Sequence, residues 1–309
     1  MPNGIIIIDK PQDWTSMDVC AKLRGVLGER RIGHAGTLDP MATGVLPVFV
    51  GRATRAVEFA ERGDKEYVAG LKLGIVTDTQ DTSGNTLEEH PVEVTAEQVK
   101  AVLPQFTGDI LQVPPMYSAI KINGKKLYEL ARKGREVERP ARPVTIHALT
   151  LEGQIAPDEF TIRVKCSKGT YVRTLCHDIG AALGCGGCMS SLRRTMACGF
   201  TLQEAHPLAE VLACEDPAGL LKPTDSLFAD YPALTLGKRG ADRVRHGAQV
   251  CQPEAEDGTY RIYGPEEEFL ALGRVEQGKL LIVKSFFNPL ERRENHHGRE
   301  TTSHSPGLF

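Results

Sequence analysis

A polar stretch punctuated by glycines, set between two apolar segments, constrains the fold of this chain more than any other feature of its sequence. Residues 4–8 are a glycine followed by four isoleucines, and residues 45–50 form a second apolar run. Both are predicted as buried strands. Between them, glycines at positions 33, 36 and 44 punctuate the glycine loop (residues 33–44). Glycines let the backbone of such a polar loop turn sharply, and the apolar elements on either side hold the loop in place. This is a frequent setting for a binding or catalytic site.

The order of the remaining predicted elements indicates the fold class. Strands and helices alternate irregularly, Asn123-Gly124 is a hairpin signal, and no strand–helix–strand rhythm is present. The predicted helices are one capped by Thr15 or Ser16 and closed by Gly28, a capping-box helix from Thr95 to about Leu103, residues 125–132 and residues 171–183. The predicted strands include residues 67–73, 144–151 and 160–166. This pattern predicts an α+β fold with a mixed, largely antiparallel central sheet and flanking helices.

A change of pattern near residues 223–232 predicts a domain boundary. Short strand-like pieces with turn residues between them follow it, which is typical of a small β-rich unit. We predict a larger domain at residues 1–228, a C-terminal module at residues 229–290 and a disordered tail at residues 291–309. The tail is polar and has no periodicity.

Charge is distributed unevenly along the chain, although the net charge is only -3. The basic segment (residues 121–142) carries eight basic and three acidic residues, a net of +5. Residues 77–98 hold six acids and no Lys or Arg. A single charge run is usually a solvated face. A basic segment isolated in an otherwise acidic chain favours a local phosphate-binding face.

The apolar runs and the cysteines indicate the cellular compartment of the protein and the redox state of its thiols. No run approaches the roughly 20 residues of a membrane span, and the N-terminus lacks the features of a secretion signal. We therefore expect a cytoplasmic protein, and eight reduced cysteines. Cys185-Gly-Gly-Cys188, with Cys176, His177 and Cys198 nearby, is compatible with a zinc cluster. No second CxxC follows at zinc-ribbon spacing, so we predict no metal.

The glycine loop supplies polar groups at His34, Thr37, Asp39 and Thr43. The residues alone are equally compatible with an ordinary loop that turns at Asp39-Pro40. A nucleotide-binding P-loop is excluded because no Gly-Lys-Ser/Thr follows the glycines.

GHAGTLDPMATGVLPV, which spans this loop, closely resembles the signature of the bacterial tRNA pseudouridine-55 synthases, the TruB-type family. KEYVAGLKLG, TDTQDTSG, PPMYSAIKINGKKLYELARKGREVERPARPV, CSKGTYVRTLCHDIG and SSLRRT resemble later blocks of that family in the same order. Together the blocks cover most of residues 1 to about 200. The resemblance implies the pseudouridine synthase fold and a C-terminal module that is a small β-barrel-like, PUA-type RNA-binding domain.

The resemblance also implies roles for individual residues. Asp39 matches the catalytic aspartate, and His34 matches the histidine that fills the space of the flipped base. Tyr67, Tyr171, Arg173 and Leu192 match the residues around that base, with Arg173 as the partner of the aspartate. Lys121, Lys125 and Lys126 of the basic segment are expected to contact RNA phosphates. Each pocket residue alone would more often be core or surface, so only their joint match supports these roles.

The implied activity is isomerisation of uridine 55 in the T-loop of tRNA, without a cofactor, by a protein that is expected to be a monomer with no protein partner. The base is flipped, the glycosidic bond breaks, the uracil turns and a carbon–carbon bond forms. The carboxylate acts as a nucleophile at the sugar or the base, or removes a sugar proton, and the sequence leaves these routes open. Three alternatives also remain: a non-catalytic RNA-binding protein, a hydrolytic nucleosidase or glycosidase, and a guide-RNA-dependent relative.

Overall fold

The computed structural model describes residues 1–122 and 124–287. The strands are β1 (Gly4–Lys10), β2 (Ile32–His34), β3 (Thr43–Val50), β4 (Lys65–Leu73), β5 (Ile75–Thr77), β6 (Thr86–Glu89), β7 (Gly108–Gln112), β8 (Lys121–Ile122), β9 (Lys125–Lys126), β10 (Arg142–Ala156), β11 (Glu159–Cys166), β12 (Gly187–Ala197), β13 (Phe200–Thr201), β14 (His206–Pro207), β15 (Ala233–Thr235), β16 (Val250–Cys251), β17 (Gly258–Tyr263), β18 (Phe269–Glu276) and β19 (Lys279–Ser285). The helices are α1 (Ser16–Leu27), α2 (Val57–Ala60), α3 (Ala96–Val102), α4 (Leu127–Ala131), α5 (Val172–Ala182), α6 (Leu208–Ala213) and α7 (Lys238–Arg245). Within these described residues no helix is long and apolar enough to cross a membrane.

Ten strands form the central sheet. Its order is β14-β1-β3-β12-β4-β11-β10-β7, with β2 paired to β3 and β13 paired to β12. The β1–β14 and β3–β12 pairs are parallel, and the other pairs of this sheet are antiparallel. The predicted mixed, largely antiparallel sheet with flanking helices is therefore confirmed.

One joint in the middle of the sheet, between β3 and β12, is short. The strands β3 and β12 pair over only two residues, Arg193 with Thr43 and Arg194 with Gly44. On one side of this joint lie β14, β1, β3 and β2, and on the other side lie β12, β4, β11, β10 and β7. The sheet thus consists of two halves that meet at a narrow seam, and the glycine loop enters β3 at that seam.

The four isoleucines of β1 are all buried, which explains why this strand shows no polar alternation. Ile6 and Ile8 pack in a cluster with α1 and α6, whereas Ile5 and Ile7 pack on the opposite face against Phe49 and Phe228. A strand covered on both faces gains from apolar residues at every position. A separate cluster covers the other half of the sheet, where β4, β10 and β11 pack under α3 and α5.

The predicted helix limits near the N-terminus are confirmed. Thr15 accepts a hydrogen bond from the Asp18 amide and the Asp18 carboxylate accepts one from Thr15, which forms a capping box. Gly28 ends α1 in the left-handed conformation. The Thr95–Gln98 capping box likewise opens α3.

Other expectations were wrong or incomplete. The predicted helix at residues 125–132 begins only at Leu127, because Lys125 and Lys126 form β9 and pair with β8. The strands β7 and β12 and the helix α7 were not predicted. Two bulges against β4 break the register of β12, so the polar and apolar residues of this strand do not alternate simply along the sequence.

The part of the C-terminal module that the structure describes contains a second, curled sheet in the order β15-β17-β18-β19-β16, with α7 packed on it. Phe228, in a 3₁₀ turn, links the two sheets: it packs in one cluster with Ile5 and Phe49 of the first sheet, and its ring centroid lies 6.2 Å from that of Phe269 and 5.8 Å from that of Phe286. The predicted division at residue 228 stays a prediction. The predicted tail, residues 291–309, lies outside the described residues.

Candidate active site

Asp39 lies at the turn of the glycine loop, between β2 and β3, and its side chain is 42% exposed. The Arg173 guanidinium, on the first turn of α5, donates through Nη2 to Asp39 Oδ2. The Arg173 side chain is only 9% exposed, so it approaches Asp39 from within the protein. The structure thus brings these two predicted residues into direct contact, with the carboxylate facing solvent. A charge-assisted bond of this kind favours the ionised carboxylate.

A second carboxylate, which the sequence reading missed, contacts the same arginine. Asp81 Oδ2 lies 3.3 Å from Arg173 Nη1, and the Asp81 side chain is 4% exposed. Burial lowers the pKa of the Arg173 guanidinium from its ordinary value. Two carboxylates beside one buried guanidinium offset the cost of burying that charge. The signal available in the sequence was the block TDTQDTSG, in which Asp81 is one of two acids.

Asp81 is held by the aspartate turn (residues 77–83). Thr79 Oγ1 donates to Asp81 Oδ1 at 2.8 Å, and the Ser83 amide donates to the same oxygen at 3.0 Å. The turn is fixed to β12 by two backbone hydrogen bonds, Thr82 N to Met189 O and Met189 N to Gln80 O, both 3.0 Å. Asp81 therefore reaches Arg173 from a rigid support.

Gln112, at the end of the edge strand β7, fixes the start of α5 and was also missed. Its side-chain amide donates to the Tyr171 carbonyl at 3.0 Å and accepts from the Tyr171 amide at 2.8 Å. Burial raises the pKa of the Tyr171 hydroxyl. Tyr171 is thus held two residues before Arg173.

Tyr67 and Leu192 lie on adjacent strands, β4 and β12. Both side chains are partly buried, and both pack against the cluster under α5 and the cluster under α1. They therefore stand where the two halves of the sheet meet, close to the glycine loop. Met41, within that loop, packs against the cluster under α5. The structure thus brings the two predicted residues, Tyr67 and Leu192, to the boundary between the two clusters.

His34 ends β2 at the start of the glycine loop. Its Nδ1 is buried and has no hydrogen-bond partner among the described residues. Burial lowers the pKa of the His34 imidazole, and the nearby Arg194 guanidinium lowers it further. The ring is therefore held neutral near pH 7.

Lys10, the last residue of β1, holds the middle of the glycine loop by hydrogen bonds. Its completely buried ammonium donates to the carbonyls of Trp14 at 2.6 Å, Pro11 at 2.9 Å and Pro40 at 3.2 Å. Burial lowers the pKa of Lys10 to about 8. The residue after Asp39 is consequently fixed to the end of β1.

The lysines predicted to contact phosphates lie in a different setting. Lys121 and Lys125 are exposed on the β8–β9 hairpin, and Lys126 is partly buried. The Tyr128 ring has the Lys126 ammonium at 5.3 Å and the Arg132 guanidinium at 5.4 Å from its centroid. The basic segment thus presents cations and an aromatic ring together at the surface.

The cysteines do not converge as metal ligands. Cys176, Cys185 and Cys188 are buried free thiols, and burial raises the pKa of each. Across residues 1–122 and 124–287, no group of three His, Cys, Asp or Glu side chains could hold a metal ion.

Solved structures define the class of protein to which this architecture belongs. A Cbf5–Nop10–Gar1 complex contains a chain that matches this one with a TM-score of 0.72 and 27% identity, over 93% of this chain and 85% of that chain. A chain in the structure of an H/ACA RNP bound to a substrate RNA containing 2′-deoxyuridine matches with a TM-score of 0.70 and 25% identity, over 93% of this chain and 86% of that chain. The fold is the pseudouridine synthase fold.

Sequence comparison narrows the class to one family. The chain matches the TruB family pseudouridylate synthase N-terminal domain over residues 24–172, the tRNA pseudouridylate synthase B C-terminal domain over 173–229, and the pseudouridine synthase II TruB C-terminal region over 232–284. It is 45% identical to tRNA pseudouridine synthase B of Azoarcus sp. (strain BH72), over 90% of this chain and 93% of the relative. It is 42% identical to tRNA pseudouridine synthase B of Francisella tularensis subsp. novicida (strain U112), over 93% of this chain and 95% of the relative. The chain belongs to the TruB family of pseudouridylate synthases, so the resemblance seen in the sequence is confirmed.

Proposed function

We propose that this protein isomerises uridine to pseudouridine at position 55, in the T-loop of tRNA, with Asp39 as the reacting carboxylate. The observation that carries the proposal is the solvent-facing Asp39 carboxylate on a rigidly supported loop, paired with a buried Arg173 that Asp81 also contacts. The names of its relatives, which are tRNA pseudouridine synthases B, support tRNA as the substrate.

The proposed reaction conserves every atom of the nucleotide. The N1–C1′ bond breaks, the uracil turns, C5 bonds to C1′, and the proton lost from C5 is balanced by one gained at N1. No electrons are exchanged with another molecule, so the reaction needs no redox cofactor. Asp39, kept ionised by Arg173, attacks the sugar or the base or removes a sugar proton.

The surroundings of Asp39 suit a base that is detached for part of the reaction. Tyr67 and Leu192 wall the pocket and exclude water, which protects the free uracil and strengthens the electrostatic interactions within the site. Removing a uridine from a stacked loop costs a few kcal/mol. The neutral His34 ring fills the vacated space, and its stacking returns about 1–3 kcal/mol.

The rest of the surface is proposed to bind the T-arm. Lys121, Lys125 and Lys126 neutralise backbone phosphates, and the C-terminal module supplies further RNA contacts. We propose that the enzyme acts as a monomer in the cytoplasm, without a protein partner.

The decisive experiment maps pseudouridine, position by position, in an unmodified tRNA transcript after incubation with the purified protein. Conversion at position 55 alone is expected, with no free uracil released. Free uracil would indicate hydrolysis instead. Tight tRNA binding without conversion would leave only an RNA-binding role.

Activity only within a larger assembly is the second candidate, because one of the similar solved structures is a Cbf5–Nop10–Gar1 complex and another is an H/ACA RNP. The isolated protein acting on a bare T-loop hairpin would exclude this candidate. A requirement for added RNA or protein would support it.

A further inference from the structure

Two consecutive arginines form the seam between the halves of the central sheet. Arg193 points to one side, where it donates to both carboxylate oxygens of Asp9, at 2.8 and 3.1 Å, and to Thr43 Oγ1 at 3.3 Å. Arg194 points to the other side and is 1% exposed, which places it among the largest fully buried side chains. The chemistry proposed above assigns no role to Arg194.

Arg194 is bonded to both ends of the glycine loop. Its Nε donates to the Val45 carbonyl at 2.7 Å, and its Nη2 donates to the Gly36 carbonyl at 3.0 Å. Asp39 lies between these two anchor points. Because the guanidinium is a planar fork, one side chain can serve both carbonyls at once, which a lysine ammonium on its flexible stem does less well.

The loop lies close to residue 194 at two points, to its main chain at Gly44 and to its side chain at Gly36. Gly44 has a φ of 100°, and a Cβ at this position would lie 2.2 Å from the main-chain oxygen of Arg194. Gly36 has a φ of 76°, and its Cβ would lie 3.3 Å from Arg194 Nη1. Both glycines are therefore required where the loop and Arg194 come into close contact.

Burying the charged Arg194 guanidinium at this position costs free energy. It makes no salt bridge among the described residues. A buried charge without a carboxylate partner is weak evidence for stabilisation, since apolar replacements are often as stable. Positioning explains its presence better. Arg194 sits behind the pocket, where its charge also affects the pKa values of His34 and Tyr67.

We propose that Arg194 is a positioning residue that fixes the Asp39 loop to the half of the sheet that carries Arg173, before RNA binds. Only the expected change in kcat rests on the proposed function; the expected change in hydrogen exchange does not. Asp39 belongs to one half of the sheet, whereas Arg173 and Asp81 are attached to the other. Arg194 bridges the two by contacts that do not involve the substrate.

The test uses Arg194→Lys and Arg194→Met, with Arg163→Met as the matched control. Unlike Arg194, Arg163 makes ion pairs, with Glu66 and Glu152; it lies on the strand β11, and none of these contacts involves the loop. For Arg194→Lys we expect kcat to fall about 10- to 100-fold with KM within a few-fold, because a displacement of about 1 Å costs that much. Arg163→Met should keep near wild-type kcat.

Hydrogen exchange gives a readout that does not depend on activity. The amides of Ala35, Leu38 and Ala42 are hydrogen-bonded in the wild type, to Pro47 O, Ser16 Oγ and Asp39 O. Their exchange should accelerate at least several-fold in Arg194→Lys, while the amides of β11 keep their protection. Addition of methylguanidinium to Arg194→Met, at concentrations that do not unfold it, should restore part of the protection.

The outcomes separate the two proposals. Unchanged loop exchange in a folded Arg194→Lys protein, or an equal loss of kcat in Arg163→Met, would overturn the positioning role. If Arg194→Met does not fold, the Arg194→Lys comparison still decides. Wild-type protein that makes no pseudouridine overturns the proposed function, whereas the exchange measurement still tests the positioning.

Discussion

The Asp39 site and the basic segment are built in opposite ways. Around Asp39, the cations Arg173, Lys10 and Arg194 are each buried and each bound to at least two oxygens. In the basic segment, Lys121 and Lys125 are exposed on a hairpin of two-residue strands. One region fixes its charges within the protein, and the other presents them to solvent.

This difference matches two different physical tasks. A reacting carboxylate lowers a barrier only when it is oriented before the reaction, so its supports must be rigid. Phosphate recognition depends on the number of charges and tolerates several geometries. Substitutions in the first region should therefore change kcat, and substitutions in the second should change binding and its dependence on salt.

Asp39→Asn gives the largest expected effect and tests the first half of this comparison. The change keeps the size of the side chain and removes its charge, so turnover should fall by about 10³-fold or more with tRNA affinity within a few-fold. Single-turnover conversion and a binding titration measure both quantities. Asp158→Asn is the matched control, because Asp158 is also half-exposed and paired, with Lys72. A folded Asp39→Asn protein with near wild-type turnover would refute the proposed role.

Arg173→Lys is expected to reduce kcat by about 10²-fold. A lysine keeps the charge but cannot contact Asp39 and Asp81 together through a planar fork. The loss should appear in kcat, with unchanged thermal unfolding as the control for folding. If only KM rises, Arg173 binds substrate and does not orient the carboxylate.

Asp81→Asn should reduce kcat by about 10-fold, since Arg173 then keeps only one of its two carboxylates. Asp78→Asn is the control within the same aspartate turn. Asp78 accepts from the Asn85 amide at 2.8 Å, and its hydrogen bonds do not involve Arg173. Equal effects of the two substitutions would mean that the turn matters as a whole and the Asp81 carboxylate does not.

Replacement of Lys125 and Lys126 by Ala tests the second half of the comparison. It should weaken tRNA binding and reduce the log–log salt slope by up to about 0.7–0.9 per lost phosphate contact, with kcat unchanged at saturating tRNA. Lys100→Ala, an exposed lysine on α3, should change neither quantity. An unchanged salt slope in the double variant would place the RNA-binding face elsewhere.

The smallest effect concerns His34 and the stability of the folded state. Burial holds the pKa of His34 below 6.5 in the folded protein, so the unfolded chain binds this proton first as the pH falls. Stability should therefore decline as the pH falls below 6.5, by less than about 1.4 kcal/mol per pH unit for a single proton. Urea unfolding between pH 5 and 7.5 should show a shallower decline for His34→Gln. Identical slopes for both proteins would contradict the lowered pKa.

The sequence predicted elements that follow local rules. The strand β1 and the helix α1 were recognisable because an apolar run and two caps specify them without reference to the rest of the chain. The strand β12 was not, because its bulges and its lack of alternation depend on neighbours more than 100 residues away in sequence.

The candidate site divides in the same way. Resemblance assigned Asp39 and Arg173 to one site, and their contact agrees with that expectation. Asp81 and Gln112 were missed because each acts through one tertiary contact, and an acid within an acidic stretch or a glutamine on an edge strand gives no local signal. Arg194 was visible only as part of the block SSLRRT.

The narrow seam between β3 and β12 has a consequence for how the chain folds during synthesis. The β1–β3 and β2–β3 pairs can form early, but the start of β3, at Thr43 and Gly44, stays unpaired on its second edge until β12 has been made, about 150 residues later in the chain. Such non-local pairing is slow, and at about 5–20 residues per second it leaves this strand edge exposed for roughly 8–30 s. The nascent chain holds Asp39 long before it holds the arginines that orient it. Catalytic competence should therefore be one of the last properties that the domain acquires.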